Sequence, residues 1–519
     1  MMSSNPATLE SPRYSVSLWA ALFPVAVLIA LLIINVVIYG DGATGGPNQI
    51  ALLMAAAAAA VVGRLCRISF QTMMNGIVNS LGSALGAMLI LLLIGSLAGT
   101  WLISGVVPAM IYYGLEILDP QVFLGVTVII CAIVSIATGS SWSTIATVGV
   151  ALLAIGRALG ISEGMVGGAI ISGAYFGDKV SPLSDTTNLA AAMAGTDLFT
   201  HIKYMLWTTV PSIVITLLVF FWIGFGAETQ AVDQTNTLAL SAAINEKFYL
   251  TPILFLVPAA VLLMVIMKID AVVALFVGTI LGGVCAVIFQ PAIVTEVANL
   301  PDVSVTRVVD GQEVMETEQA SYLERSYVAV VNAMSVETSI DSEDEFARDL
   351  LSAGGMNGML NTIWLIVTAM CFGGVMEACG LLQRITMPLV RLARTTGSLI
   401  ATTVASCLFV NVTASDQYLS IVVPGRMFRK TYRQRKLAPQ VLSRTLEDSG
   451  TVTSVLIPWN TCGATQAAIL NVQTIVYAPY CFFNLISPVM TMLFGFFGIC
   501  IAQLRGDEPE EVDLTEMDS

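Results

Sequence analysis

The chain has 519 residues, of which 56% are hydrophobic and only 11% charged, with a mean hydropathy of +0.83. Soluble domains carry about 25% charged residues, so this composition excludes a soluble globular fold and points to an all-α polytopic membrane protein. The net charge of −14 is unevenly placed: residues 294–350 hold thirteen acids against three bases, and residues 506–519 hold seven acids and no base.

The N-terminal tail, 1–15, is polar, and the apolar run 16–39 is too long for the core of a cleavable signal. It reads as the first spanning helix. Further apolar runs fall near 50–65, 81–103, 121–137, 142–160, 164–177, 186–196, 205–226, 249–267 and 271–290. After an acidic soluble loop, 291–352, they resume near 356–378, 397–410, 417–425, 451–471 and 475–504. The chain therefore divides into a first membrane half (16–290) and a second (353–504), closed by an acidic tail, 505–519. Loop and tail read as solvated spacers.

Several runs are too short to cross about 30 Å of hydrocarbon at about 1.5 Å per residue. Those at 121–137 and 142–160 flank a polar tip, Ala-Thr-Gly-Ser-Ser-Trp-Ser-Thr (137–144). Those at 397–410 and 417–425 flank Asn411 to Gln417. Each pair predicts a re-entrant helical hairpin, whose irregular backbone must be satisfied by protein or a water-filled cavity. Two discontinuous helices are predicted at 173–195 and 446–465, broken at Pro182 and Pro458. The first contains Asp178, Lys179 and Asp185. Charges at mid-bilayer cost about 2.5–3.5 kcal/mol each and mark functional positions.

The order tip, acid, broken stretch occurs in both halves. Thr138 to Asn188 is 50 positions and Asn411 to Asn460 is 49. This predicts inverted-topology repeats, with Trp142 and Trp459 in corresponding stretches. Arg426, Arg429, Lys430, Arg433, Arg435, Lys436 and Arg444 lie within 19 positions free of acids, which places that connector in the cytoplasm. The acidic loop is then external.

A hard monovalent cation is held by carboxylate, hydroxyl, amide and carbonyl oxygens. The tips and breaks supply these. Asp178, Asp185, Asp416, Asp448 and Glu447 are the candidate carboxylates. Ser140, Ser141, Thr186, Asn188, Asn411, Thr413, Ser415, Asn460 and Thr461 are the candidate neutral ligands. A carboxylate that takes either a cation or a proton couples the two, because a bound cation opposes protonation. An alkali cation and H+ are thus the expected cargo, bound by these same residues, with no cofactor. Membrane lipid and small cations are the expected partners, nucleic acid is not, and a homodimer stays open.

Bland roles compete with these. Asp178 could pair permanently with Lys179, its possible charge partner. Asp416 could cap a helix. Glu447 could form a surface pair with Arg444. The lone His201 reads as a surface or interfacial residue. The nine cysteines form no Cys-x-x-Cys pair and read as helix-packing residues. No nucleophilic triad, P-loop or metal cluster argues for an enzyme. The alternative to ion exchange is an ion-coupled carrier of a small organic acid or amino acid. That carrier needs a fixed cation at the site, and Lys179 is the one intramembrane candidate.

The stretch Gly-Ala-Tyr-Phe-Gly-Asp-Lys-Val-Ser-Pro-Leu-Ser-Asp-Thr-Thr-Asn (173–188) closely resembles the signature of the NhaC-type sodium/proton antiporter family. So do 137–144, Asp-Gln-Tyr-Leu-Ser-Ile (416–421), Leu-Glu-Asp-Ser-Gly-Thr (446–451) and Ile-Pro-Trp-Asn-Thr-Cys-Gly-Ala-Thr (457–465). The resemblance covers roughly residues 80–220 and 360–500. It implies inverted repeats with two opposed re-entrant hairpins and two discontinuous helices, elevator-like movement, and exchange of Na+ for H+ across the cell membrane. Some relatives exchange malate for lactate with coupled ions. The acidic loop and tail depart from the family pattern.

Overall fold

The computed structural model describes residues 16–117, 119–226, 234–300, 303–309, 312–318, 320–341, 348, 350–392 and 394–504. The tails 1–15 and 505–519 lie outside the described residues.

The first part of the chain forms α1 (Leu18–Tyr39), α2 (Pro47–Leu65), α3 (Phe70–Ile103), α4 (Val106–Ile117), α5 (Pro120–Thr138), α6 (Ser141–Thr144) and α7 (Val150–Ala158). Then come α8 (Glu163–Val180), α9 (Asp185–Ala194), α10 (Leu198–Gly226), α11 (Gln234–Lys247), α12 (Leu256–Ile266), α13 (Ala271–Phe289) and α14 (Pro291–Ala298). Strands β1 (Val303–Val309) and β2 (Gln312–Glu318) pair antiparallel, with Val303 opposite Glu318. After α15 (Tyr322–Ser335), the second half forms α16 (Gly355–Ala378), α17 (Leu381–Leu392), α18 (Thr396–Thr413) and α19 (Gln417–Gln434). It closes with α20 (Pro439–Leu446), α21 (Thr461–Leu470), α22 (Thr474–Tyr477) and α23 (Phe482–Phe497).

Among the described residues, nine helices are long and apolar enough to cross a membrane, or up to eleven if each of two bent pairs is one span. Large apolar side chains such as Trp19, Ile133, Trp207, Trp222 and Phe497 stand exposed. In a membrane, lipid covers such side chains, so their exposure carries none of the penalty it has in water.

Helices approach closely where side chains are small. A Cβ on Gly177 of α8 would sit 2.5 Å from the Ala132 carbonyl oxygen and from Ser135 Cβ on α5. The Ser135 hydroxyl donates to the Ala174 carbonyl at 2.6 Å. Gly76 of α3 and Gly374 of α16 meet in the same way. Without a hydrophobic driving force between helices in lipid, this backbone-level contact is what holds a bundle together.

The acidic segment 291–352 is not wholly detached from this body. Ser321 and Glu324 form a capping box that starts α15. Ser326, Ala329 and Ala333 of α15 are buried, and the Ser96 hydroxyl of α3 donates to the Met334 carbonyl at 3.0 Å.

Candidate cation-binding cavity

Four helices begin at one place, each with a polar cap. Ser140 caps α6 by accepting from the Ser143 amide at 3.2 Å, and Ser184 caps α9 by accepting from the Thr187 amide at 3.5 Å. Asp416 caps α19 through the Leu419 amide at 2.9 Å, and Asn460 caps α21 through the Cys462 amide at 3.0 Å. The second pair of caps follows the first by the same interval, since 416 − 140 and 460 − 184 both equal 276. Left-handed residues keep the same spacing: Gly139 (φ 71°) with Ser415 (φ 59°), and Gly195 (φ 81°) with Asn471 (φ 50°). The helices α9 and α21 are both 10 residues long. Sequence reading aligned Thr138 with Asn411 and Asn188 with Asn460, three to four residues out of this register. The polar side chains misled that alignment, because backbone geometry rather than amide identity is what the halves share.

These starts surround a cavity of about 480 Å3. Matched residues line it from both halves: Ser140 with Asp416, Trp142 with Tyr418, Asp185 with Thr461, and Thr186 with Cys462. Trp142 therefore corresponds to Tyr418, and not to Trp459, whose indole donates to the Val412 carbonyl at 2.8 Å. Asp178 and Ser184 also face the cavity. Its opposite wall is Ser83 of α3 and the α12–α13 turn with Lys268 and Asp270.

Asp178 lies on the last turn of α8, 7% exposed. Its Oδ2 accepts from the Ser141 hydroxyl at 2.7 Å and the Ser141 amide at 3.1 Å. The start of α6 thus offers two donors and the positive end of a short helix to this carboxylate. Asp416 is 3% exposed, while Asp185 is exposed to the cavity. Tyr418 sits within electrostatic range of Asp178, Asp185 and Asp416.

The break between α8 and α9 is built from hydroxyls that satisfy freed backbone groups. Ser181 donates to the Ile136 carbonyl at 2.9 Å and Thr187 to the Lys179 carbonyl at 3.0 Å. Asn188 donates to the Pro182 and Ser184 carbonyls at 3.1 and 2.8 Å. It is exposed and does not line the cavity. Asn411 donates to the Gly450 carbonyl at 2.8 Å and to Thr453 at 3.0 Å, and Asn460 donates to the Asn411 carbonyl at 3.1 Å. Thr413 donates to its own helix, to the Phe409 carbonyl at 2.7 Å. Asn411 and Asn460 fasten α18 to the second break, Thr413 is spent within α18, and none of the three lines the cavity.

Lys179, one residue from Asp178, points the other way. Its ammonium pairs with Asp448, and both are fully buried. Ser487 receives a hydrogen bond from Lys179 at 2.9 Å, and Thr208 donates to the second Asp448 oxygen at 2.8 Å. Asp448 is thus absent from the cavity lining, and the competing reading of a permanent Asp178–Lys179 pair is not realised.

Two further readings are corrected. Glu447 and Arg444 are both fully buried, not a surface pair. Glu447 accepts from Thr186 at 3.1 Å, while the Arg444 guanidinium lies 4.6 Å over the Tyr204 ring. Glu447 begins a π-helical turn, Glu447–Thr451, and a second π turn spans Ile145–Gly149 beside the cavity. His201 is also fully buried, with Nδ1 2.8 Å from the Ser443 hydroxyl. Sequence reading passed over Ser184, Gln417 and Tyr418. The capping pattern Ser-x-x-Thr at a helix start is the signal that marks Ser184.

Residues 173–499 match the model of the Na+/H+ antiporter family. The chain is 37% identical to the Na+/H+ antiporter NhaC of Alkalihalophilus pseudofirmus, over 88% of this chain and 91% of the relative. It is 34% identical to the malate-2H+/Na+-lactate antiporter of Bacillus subtilis, over 87% and 90%. It is 32% identical to the arginine/ornithine antiporter ArcD of Halobacterium salinarum, over 96% of each. The protein is a multi-pass protein of the cell membrane, and it belongs to the NhaC-type Na+/H+ antiporter family.

Proposed function

We propose that the chain exchanges Na+, and with it Li+, for H+ at the cavity bounded by Asp178, Asp185 and Asp416. The observation that carries this reading is the sign of the lining. Four carboxylates line the space, Asp178, Asp185 and Asp416 beside the helix starts and Asp270 on the far wall, while the buried ammonium of Lys179 is committed to Asp448. An anionic cargo would meet acids and find Lys268 as the lining's one base, on the far wall.

In this mechanism Asp178 holds the cation with hydroxyl and carbonyl oxygens of the α5–α6 turn, and Asp416 with Thr461 approaches from the other half. Na+ and protons compete for the same carboxylates, so release of one admits the other. Asn411 and Asn460 hold the frame. The repeats are read as inverted, with α5–α6 and α18–α19 as the re-entrant hairpins and α8–α9 and the segment ending in α21 as the discontinuous helices. The two walls, α3 with the α12–α13 turn and the capped helix starts, support an elevator-like sliding of one past the other. Proteoliposomes carrying a pH-sensitive dye test the function directly. Na+ or Li+ alone should move protons, and no movement without an organic solute would refute it.

A second reading rests on the cavity's size. About 480 Å3 with two aromatic rings in the lining exceeds the needs of one alkali ion. It fits an organic acid or amino acid moved with coupled ions, as the names of two relatives describe for those proteins. Proton movement that appears only when malate and lactate, or arginine and ornithine, are added would favour it.

A further inference from the structure

The last described residues are laid along the turn between α19 and α20. Leu437 and Gln503 form an antiparallel bridge. The Ala438 amide donates to the Ala502 carbonyl at 3.0 Å, and the Leu504 amide donates to the Lys436 carbonyl at 2.8 Å. Arg444 donates to the Cys500 carbonyl at 3.3 Å, and the Tyr204 hydroxyl donates to the same oxygen. Five residues of chain are thereby pinned to one surface. That surface is basic: residues 426–436 hold six Arg or Lys and no acid, and Arg426, Lys430 and Lys436 are exposed. Arg426 also lies within electrostatic range of Glu377 on α16.

The chain leaves this surface at Lys436 itself. The next 15 positions include seven acids, the first of them Asp507, three residues beyond Leu504. Three residues reach at most about 10 Å, close to the Debye length of about 8 Å at physiological ionic strength. A tether this short gives an effective concentration on the order of millimolar, which a free partner would have to exceed. We propose that the acidic segment Asp507–Asp518 docks on the basic face of α19 and restrains that helix.

The restraint has a direct path to the cargo. The 18 residues of α19 run from Gln417, on the cavity lining, to Gln434, on the basic face. At about 1.5 Å per residue that is about 27 Å of one continuous helix, with Pro424 inside it. A restraint on Lys430, which lies in that helix, therefore bears on the helix whose first turn holds Gln417 and Tyr418. The other occupant such a face could take is an anionic lipid headgroup. The tethered acids are favoured because they are delivered by the chain's own hydrogen bonds to a face on which Arg426, Lys430 and Lys436 are exposed.

The full-length protein in nanodiscs of phosphatidylcholine, treated with a carbodiimide that joins carboxylates to amines, tests the docking. Mass spectrometry should find Lys430 or Lys436 joined to acids of residues 507–518 at low salt, and a marked loss of those products at high salt. Absence of the products at low salt overturns the proposal. So does their loss when phosphatidylglycerol is included, because the lipid is then the preferred occupant. Crosslinking requires no transport, so it stands apart from the identity of the cargo. For the restraint, a variant with the seven acids exchanged for Asn or Gln should exchange Na+ about fivefold faster at low ionic strength, the lower end of ordinary allosteric couplings. A rate equal to that of the unaltered chain overturns it.

Discussion

The two halves of the cavity have one backbone plan and two chemistries. Ser140 and Asp416, Ser184 and Asn460 cap helices at the same interval of 276 positions. The carboxylates do not follow that symmetry. By the same interval, Asp178 corresponds to Ser454, Asp416 to Ser140 and Asp448 to Ser172. Lys179 corresponds to Val455, so the buried ion pair has no counterpart at all. Caps recur because any helix start at this depth needs an acceptor for its free amides. Charges do not recur because each costs several kcal/mol unless cargo or a partner compensates it. The asymmetric positions are therefore where the two halves divide the work.

The strongest way to break this comparison is Asp178→Asn. It removes the charge, keeps an acceptor for Ser141, and should reduce Na+-driven proton movement in proteoliposomes to the background of empty vesicles. Expression and thermal stability should hold.

Lys179→Met addresses the pair without a counterpart. It leaves Asp448 buried and unpaired, a loss of about 3–5 kcal/mol, and should lower the melting temperature in detergent sharply. Adding Asp448→Leu should restore stability and, if the pair is structural, exchange as well. Recovered stability with no exchange would place Asp448 among the cation ligands.

Asp416→Ser copies the first half's cap into the second. Ser and Asp cap about equally well, within a few tenths of a kcal/mol, so folding should be unchanged. Half-saturation for Na+ should rise by at least about tenfold, the equivalent of 1.4 kcal/mol. Unchanged Na+ dependence would make Asp416 a cap only.

Ser141→Ala removes one of two donors to Asp178 and leaves the amide. A hydrogen bond to a charged group contributes about 1.5–3 kcal/mol, and the remaining amide should hold the loss to the lower part of that range, read as weaker Na+ affinity. The smallest effect is expected for Asn188→Ala. Its amide serves two carbonyls of an exposed break and does not line the cavity, so exchange should stay within about twofold of the original.

Much of this was readable in the chain. The apolar runs required a polytopic helical protein, Pro182 required a break near 182, and the polar tips located the irregular backbone. What misled was treating each polar residue at a break as a ligand. Asn188, Asn411 and Asn460 are of the right chemical type, yet a break also frees carbonyls and amides that need partners, and these residues supply them, while Thr413 is spent on its own helix. Arg444 and Glu447 read as surface residues from local charge patterns and His201 from its place at the edge of a span, but helices far apart in sequence close over them.

Sequence alone determined the class of protein, the places where helices stop, and the acids available at those stops, because hydropathy and backbone propensity act locally. Only the tertiary structure decided which acid faces the cavity. Asp178 and Lys179 are adjacent, but successive residues on a helix point about 100° apart. One therefore meets Ser141, 37 positions before it, and the other meets Asp448, 269 positions after it. The same packing decided the true register of the halves, since caps and left-handed turns are properties of folded backbone that side-chain identity only partly reports.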